Sequence, residues 1–303
     1  TLESIDLSHT TKYRYNLIKV IVGGVNLKML SRGCFDQARQ SIIKYGRPLE
    51  KAILRSYFSE GPEQDILNEL KKFQNEDGGF GHGIESDFRL PLSSPMGTSV
   101  GIRLLSSLNE LEESKEMIKS AIGYLETSFD KKRNGWFAVT KEVNNFPHAF
   151  WWHFNEEDSM TIIDRNWGNP SAEILAYLYK YRHYVKTLDI DSLVEYAINY
   201  IENKQEFNSE NELFCYIKLY GVLPEELQKR LEKRISFAIE QVIVYDEQEW
   251  HEYVPMPIEF VEKIDSNRFE VLESKLNDTL NFIIGRLELN GQINPPWGES
   301  YYE

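Results

Sequence analysis

Directly after the apolar-periodic run Ile66 to Phe73, the chain reads Gln74-Asn75-Glu76-Asp77-Gly78-Gly79-Phe80-Gly81. Ile66, Leu70 and Phe73 fall at i, i+4 and i+7, the spacing of one helical face. A Gly-Gly pair at the end of such a run lets the backbone leave the helix with positive φ. The segment therefore predicts a helix stopped by a tight turn that carries an acid and an aromatic plug. Weaker echoes follow at Asn134-Gly135-Trp136-Phe137, Gln205-Glu206-Phe207 and Asn290-Gly291-Gln292-Ile293.

Helical spacing dominates between these turns. Ile118, Ile122, Leu125 and Phe129 make one stripe, Ile174, Tyr177, Leu178 and Tyr181 another, and Val194, Ala197, Ile198 and Ile201 a third. Leu227, Leu231, Ile235, Ala238 and Val242 continue the series. Phe269, Leu272, Leu276, Leu280, Ile283 and Leu287 mark the longest. No comparable run alternates with period two, so strands are at most minor. Ser94-Pro95 and Asn169-Pro170 place a capping side chain before a proline at a helix start, and Pro224-Glu225-Glu226 puts proline and two acids in a first turn. Helix pairs of this kind cannot bury both faces alone. They must stack, as a solenoid or as a closed α/α ring.

Composition narrows the partners. The 303 residues suffice for a large core, and no composition shift marks a second domain, so residues 34–303 read as one domain. Aromatic residues make up 13% of the chain and must pack between helices or around a cavity. The 34 Lys and Arg against 48 Asp and Glu leave a net charge of −14, which repels phosphate backbones and anionic lipid. Nucleic acid is therefore not expected as a partner. The two cysteines, Cys34 and Cys215, are too few for a disulfide scaffold, and a reduced, cytoplasmic setting is the expectation. The run Leu17 to Leu30 is broken by Lys19, Gly23, Gly24, Asn26 and Lys28, so neither a membrane span nor a signal peptide is expected there. Residues 1–33 are an N-terminal segment with no assigned role.

The Gln-x-x-Asp-Gly-Gly-Phe segment resembles the repeat motif of the terpenoid cyclase and protein prenyltransferase superfamily, the α/α toroids. Asn134-Gly135-Trp136 and Pro296-Trp297-Gly298 are degenerate copies of it. Gly81-His82-Gly83-Ile84-Glu85-Ser86-Asp87, with Ser93-Ser94-Pro95, also looks like small bacterial prenyltransferase-like proteins. The resemblance covers roughly Phe35 to Tyr302 and implies an all-α, single-domain α/α toroid of helical hairpins around a central cavity. It also implies that Gln74 and Asp77 tie helix ends while Phe80 wedges between hairpins. The catalytic signatures of that superfamily are missing. Asp189-Ile190-Asp191-Ser192 lacks the last acid of an Asp-x-Asp-Asp motif and sits where a helix would be capped, and no Asp-Asp-x-x-Asp run is present.

Three connections carry the candidate chemistry. His82, Glu85 and Asp87 lie between the first turn and the helix expected at Pro95, where paired carboxylates can split into an acid and a base. These three are the candidate catalytic residues; the bland alternative is helix capping. His148, Trp151, Trp152 and His153 lie in a long aromatic connection, as stacking platforms for a ligand or as a loop that buries its own rings. The two histidines are five residues apart, a poor metal pair, and no metal site is assigned. Trp250 and His251, within Glu249-Trp250-His251-Glu252-Tyr253, complete the candidate ligand-binding set. Glycine-rich phosphate loops and a Gly-x-Ser-x-Gly elbow are absent, and no cofactor is assigned.

Three functions are compatible with this pattern. The resemblance implies a protein that holds an elongated apolar or isoprenoid molecule in an aromatic cavity. The alternatives are a carbohydrate-active α/α-toroid enzyme, hydrolase or lyase, and a non-catalytic binding or scaffold protein. Each expects a small-molecule ligand or none, and fold alone does not choose among them.

Overall fold

The computed structural model describes residues 28–59, 61–108, 110–261 and 268–293. Residues 17–27 of the first apolar-leaning run, and the Pro295-Pro296-Trp297-Gly298 end, lie outside the described residues. Within them the chain is all-α, its only strand-like features being isolated antiparallel bridges. The helices are α1 (Arg32–Tyr45), α2 (Pro48–Phe58), α3 (Glu63–Leu70), α4 (Pro95–Leu105), α5 (Glu112–Thr127), α6 (Gly168–Lys180), α7 (Ile190–Asn203), α8 (Glu210–Val222), α9 (Glu225–Val242) and α10 (Glu273–Asn290). None of these is long and apolar enough to cross a membrane.

The helices form two layers. In α5, α7 and α9 only one stripe is buried, such as Ile118, Ala121, Ile122 and Leu125 of α5 or Leu231, Ile235, Ala238 and Ile239 of α9. In α6 every residue from Gly168 to Leu178 is buried. A helix without a solvent face belongs inside, and α6 packs between α4 and α8. Each inner helix also packs on the one that follows it: α4 on α5, α6 on α7, α8 on α9. At the ends, α2 packs on α3, and α1 touches both α2 and α10, where Cys34 Sγ donates to Leu287 O at 3.1 Å.

The Gly-Gly turn forms with its acid and aromatic plug, but it does not stop the helix: α3 already ends at Leu70, a 3-10 turn covers Lys71–Phe73, and Gln74 is extended before the turn. Gly78 has φ 87°, and Asp77 Oδ1 accepts from Gly79 N at 2.9 Å and from Ser93 Oγ at 2.7 Å. Gln74 Nε2 donates to Gly78 O and, at 3.0 Å, to Met117 O, which ties the turn to α5. Phe80 is fully buried, and its N–H donates to Thr98 Oγ1 on α4 at 3.0 Å. Gly101 of α4 gives this ring room, since a Cβ there would sit 2.6 Å from it. The echo at Trp136 does the same one hairpin later. Its indole N–H donates to Leu125 O at the end of α5, and its backbone N–H to Ser171 Oγ on α6.

Caps follow the sequence in part. Ser94 Oγ accepts from Gly97 N and Asp189 Oδ1 from Ser192 N, so both residues cap helices. Pro224 is the N-cap of α9 and does not enter its first turn, which Glu225 and Glu226 occupy. The stripe expected from Phe269 onward is shorter than its apolar spacing, because α10 starts only at Glu273 and leaves Phe269 and Leu272 in the approach.

Replacing Phe80 with Ala removes the plug between the turn and α4 and leaves a cavity that the glycine-lined turn cannot fill. The expected loss is about 3–5 kcal/mol, read from urea unfolding. A loss below about 1 kcal/mol would mean that the ring is not packed as described.

Candidate functional site

Two of the three candidate connections are joined through their backbones. Residues 81–94 run past residues 147–149, and Phe88 bridges His148. Arg89 N donates to Pro147 O and Ala149 N donates to Asp87 O, both at 2.8 Å. The junction sits on its own small core, in which the buried rings of Phe88 and Trp152 meet edge to face at 5.1 Å. Asp164 fixes the far end of the long connection, accepting from Ala138 N at 2.7 Å and from Thr161 N and Thr161 Oγ1 at 2.9 and 2.7 Å. Asn144 pins Phe154 through both its backbone groups.

This junction closes one side of a cavity of about 560 Å³. Glu85 and Asp87 line that side with Trp151 and Trp152. The inner helices supply the floor: Met96 and Arg103 from α4, Asn169 and Glu173 from α6, and Asn211, Phe214, Cys215 and Lys218 from α8. Each set keeps helical spacing, so one face of each helix points inward. Phe150 and Tyr253, 71% and 61% exposed, stand at the mouth.

The carboxylates differ in state. Burial pushes the Glu85 carboxyl above the usual glutamate value of 4.5, and the charge of Asp87 pushes it further. Burial also raises Asp87, against hydrogen bonds from Ser86 and Trp151 and the nearby charge of Arg89. The Asp87 backbone N–H donates to Glu85 Oε1 at 3.4 Å, and both side chains line the cavity. Burial also acts to raise Glu173, but the charges of Arg103 and Lys218 hold it below the usual range. Arg103 reaches it with Nε and Nη2 at 2.9 Å each, Lys218 Nζ at 2.8 Å and Tyr177 Oη at 2.7 Å. The Cys215 thiol is buried beside this carboxylate and is pushed far up, so it is no thiolate nucleophile.

The structure thus brings together Glu85, Asp87, Trp151 and Trp152, and leaves the other expected site residues out of the cavity wall. His82 is turned away, its Nε2 lying 2.8 Å from Asn75 Oδ1 in the Gly-Gly turn. His148 and His153 do meet, despite their unhelical spacing, because they lie in a loop. Their rings stack at 5.3 Å, and since His148 Nδ1–H donates to Phe146 O, a neutral His148 accepts at Nε2 from His153 Nδ1. Trp250 is buried, donates to Val244 O and packs edge-on against Phe282, as His251 also does. Of that third connection only Tyr253 reaches the cavity. Among the described residues no cluster of three or more His, Cys, Asp or Glu side chains is arranged to hold a metal ion.

Arg103, Glu173 and Lys218 were not among the residues that the sequence singles out. A signal existed for one: Glu173 is the only charged residue between Pro170 and Tyr179, in a segment apolar on every face. A lone acid there is a buried acid with partners. Comparison of the chain with family models, with curated proteins and with solved structures finds no match in any of the three.

The raised Glu85 fixes the sign of one pH effect. Its folded-state value lies above 4.5, so the stability associated with its neutral form is complete below pH 4.5 and is lost as pH rises through the folded value. Glu85→Gln keeps the neutral form at every pH. The variant is expected to be more stable than the wild type at pH 7 and to converge with it near pH 4, by thermal unfolding across that range. An equal difference at both pH values would contradict the assignment.

Proposed function

We propose that this chain is a carbohydrate-active protein of α/α-toroid architecture, whose cavity takes a polyhydroxylated ring and transfers protons on it. Glu85 is the acid and Asp87 the base. The observation that carries this reading is the convergence of two carboxyls raised by burial, Glu85 and Asp87, with aromatic faces in one cavity. Ring closure is supported by the alternation of inner and outer helices and by the contact of α1 with α10.

The chemistry of the wall weighs for a sugar over an isoprenoid. Glu85, Asp87, Arg103, Glu173 and Lys218 all line the cavity, and a hydrocarbon packed on them would strip water from charged groups without replacing it. A polyol replaces those hydrogen bonds and still offers an apolar ring face to Trp151. Glu85 and Asp87 come from one connection and line the same cavity, which favours proton transfer on one face of the ring, as in isomerisation or elimination. Hydrolysis draws on carboxylates that flank the scissile bond. The scaffold reading loses ground because the cavity joins residues from all three candidate connections.

Calorimetric titration with neutral hexoses, disaccharides and farnesol tests the reading. The expectation is saccharide binding that Trp151→Ala weakens about tenfold or more, the loss of a stacking face and of a hydrogen bond to Asp87. Binding of farnesol with no saccharide binding would return the cavity to the isoprenoid reading.

A further inference from the structure

The floor of the cavity is asymmetric in charge. Glu173 holds Arg103 and Lys218 together, yet its side chain is only 3% exposed, while those of the two cations are 46% and 33% exposed. The anion is hidden behind the cations that it orients. A ligand entering the cavity therefore meets two positive groups from different helices, and their shared counter-ion sits beneath them, in contact with Tyr177.

We propose that Arg103 and Lys218 form a carboxylate-binding subsite on this floor, and that the ligand of the cavity is a sugar acid. This rests on the carbohydrate reading above and adds the substrate class. One carboxylate from Glu173 offsets only one of the two cations, so the floor keeps an unbalanced positive charge at short range. On the facing wall, burial and the charge of Asp87 raise Glu85, and Arg89 lies close enough to act on Asp87. Arg103 is also near enough to act on the Glu85 charge, which places a carboxylate bound on the floor close to the acid–base pair. The ring of such a ligand would then extend toward Trp151. A planar guanidinium and an ammonium fixed by one buried anion are preorganised donors for a planar carboxylate.

The test is calorimetric titration of the wild type and Lys218→Met with galacturonate, its methyl ester and galactose, with geranyl phosphate as a further anion. The wild type is expected to bind galacturonate at least about tenfold more tightly than the ester, a preference that Lys218→Met removes by weakening the acid far more than the ester. Should Lys218→Met fail to fold, the comparison of acid and ester in the wild type carries the test alone. Equal binding of acid, ester and galactose would overturn the subsite and leave the carbohydrate reading standing. Binding of geranyl phosphate without any sugar, or of none of the four, would overturn both.

Discussion

The buried carboxylate of Glu173 joins the three inner helices. Arg103 reaches it from α4, Lys218 from α8, and Tyr177 from the next turn of α6 itself. Apolar packing between those helices is non-directional and fixes their rotation less closely than a hydrogen-bonded charge does. A charge in such a place has to be matched closely or it destabilises the fold. Glu212 plays a related part nearby, accepting from Gly168 N at the start of α6 and from Lys204 before α8. With these two acids the inward faces of α4, α6 and α8 have a set orientation, and the cavity floor follows from it.

The wall depends on a different device. Backbone hydrogen bonds of Asp87 and Arg89 with Ala149 and Pro147 hold two otherwise irregular connections in register. Once they are in register, Trp151 reaches the Asp87 carboxyl and Phe88 reaches Trp152. The acid pair and the aromatic faces are therefore positioned by one joint, anchored at its far end by Asp164. The floor is carried by helices and the wall by loops, and Met96 of α4 links the two by packing in the small core with Phe88 and Trp152.

What could be read in the sequence follows the range of the interactions. The Gly-Gly turn, the Phe80 plug and the Ser94 and Asp189 caps involve neighbours a few residues apart, and their residue types announce them. Glu85, Asp87, Trp151 and Trp152 stand out because acids and aromatics clustered in connections have few structural uses. That they share one cavity could not be read, since the joint between them is made of backbone groups common to every residue. Trp250 and His251 match the other clusters in composition, but the backbone turns them toward Phe282. Arg103 and Lys218 were missed for another reason. On a helix, a long basic side chain facing a cavity has the same spacing as one facing solvent, and only the burial of α6 between α4 and α8 tells them apart.

Urea unfolding of Glu173→Gln at pH 7 tests most directly whether this carboxylate organises the inner helices. The amide keeps the shape and removes the charge, leaving Arg103 and Lys218 to repel each other. A loss of about 3 kcal/mol is expected, near the low end for breaking a buried pair because both cations retain some exposure. A variant within about 0.5 kcal/mol of the wild type would contradict the account.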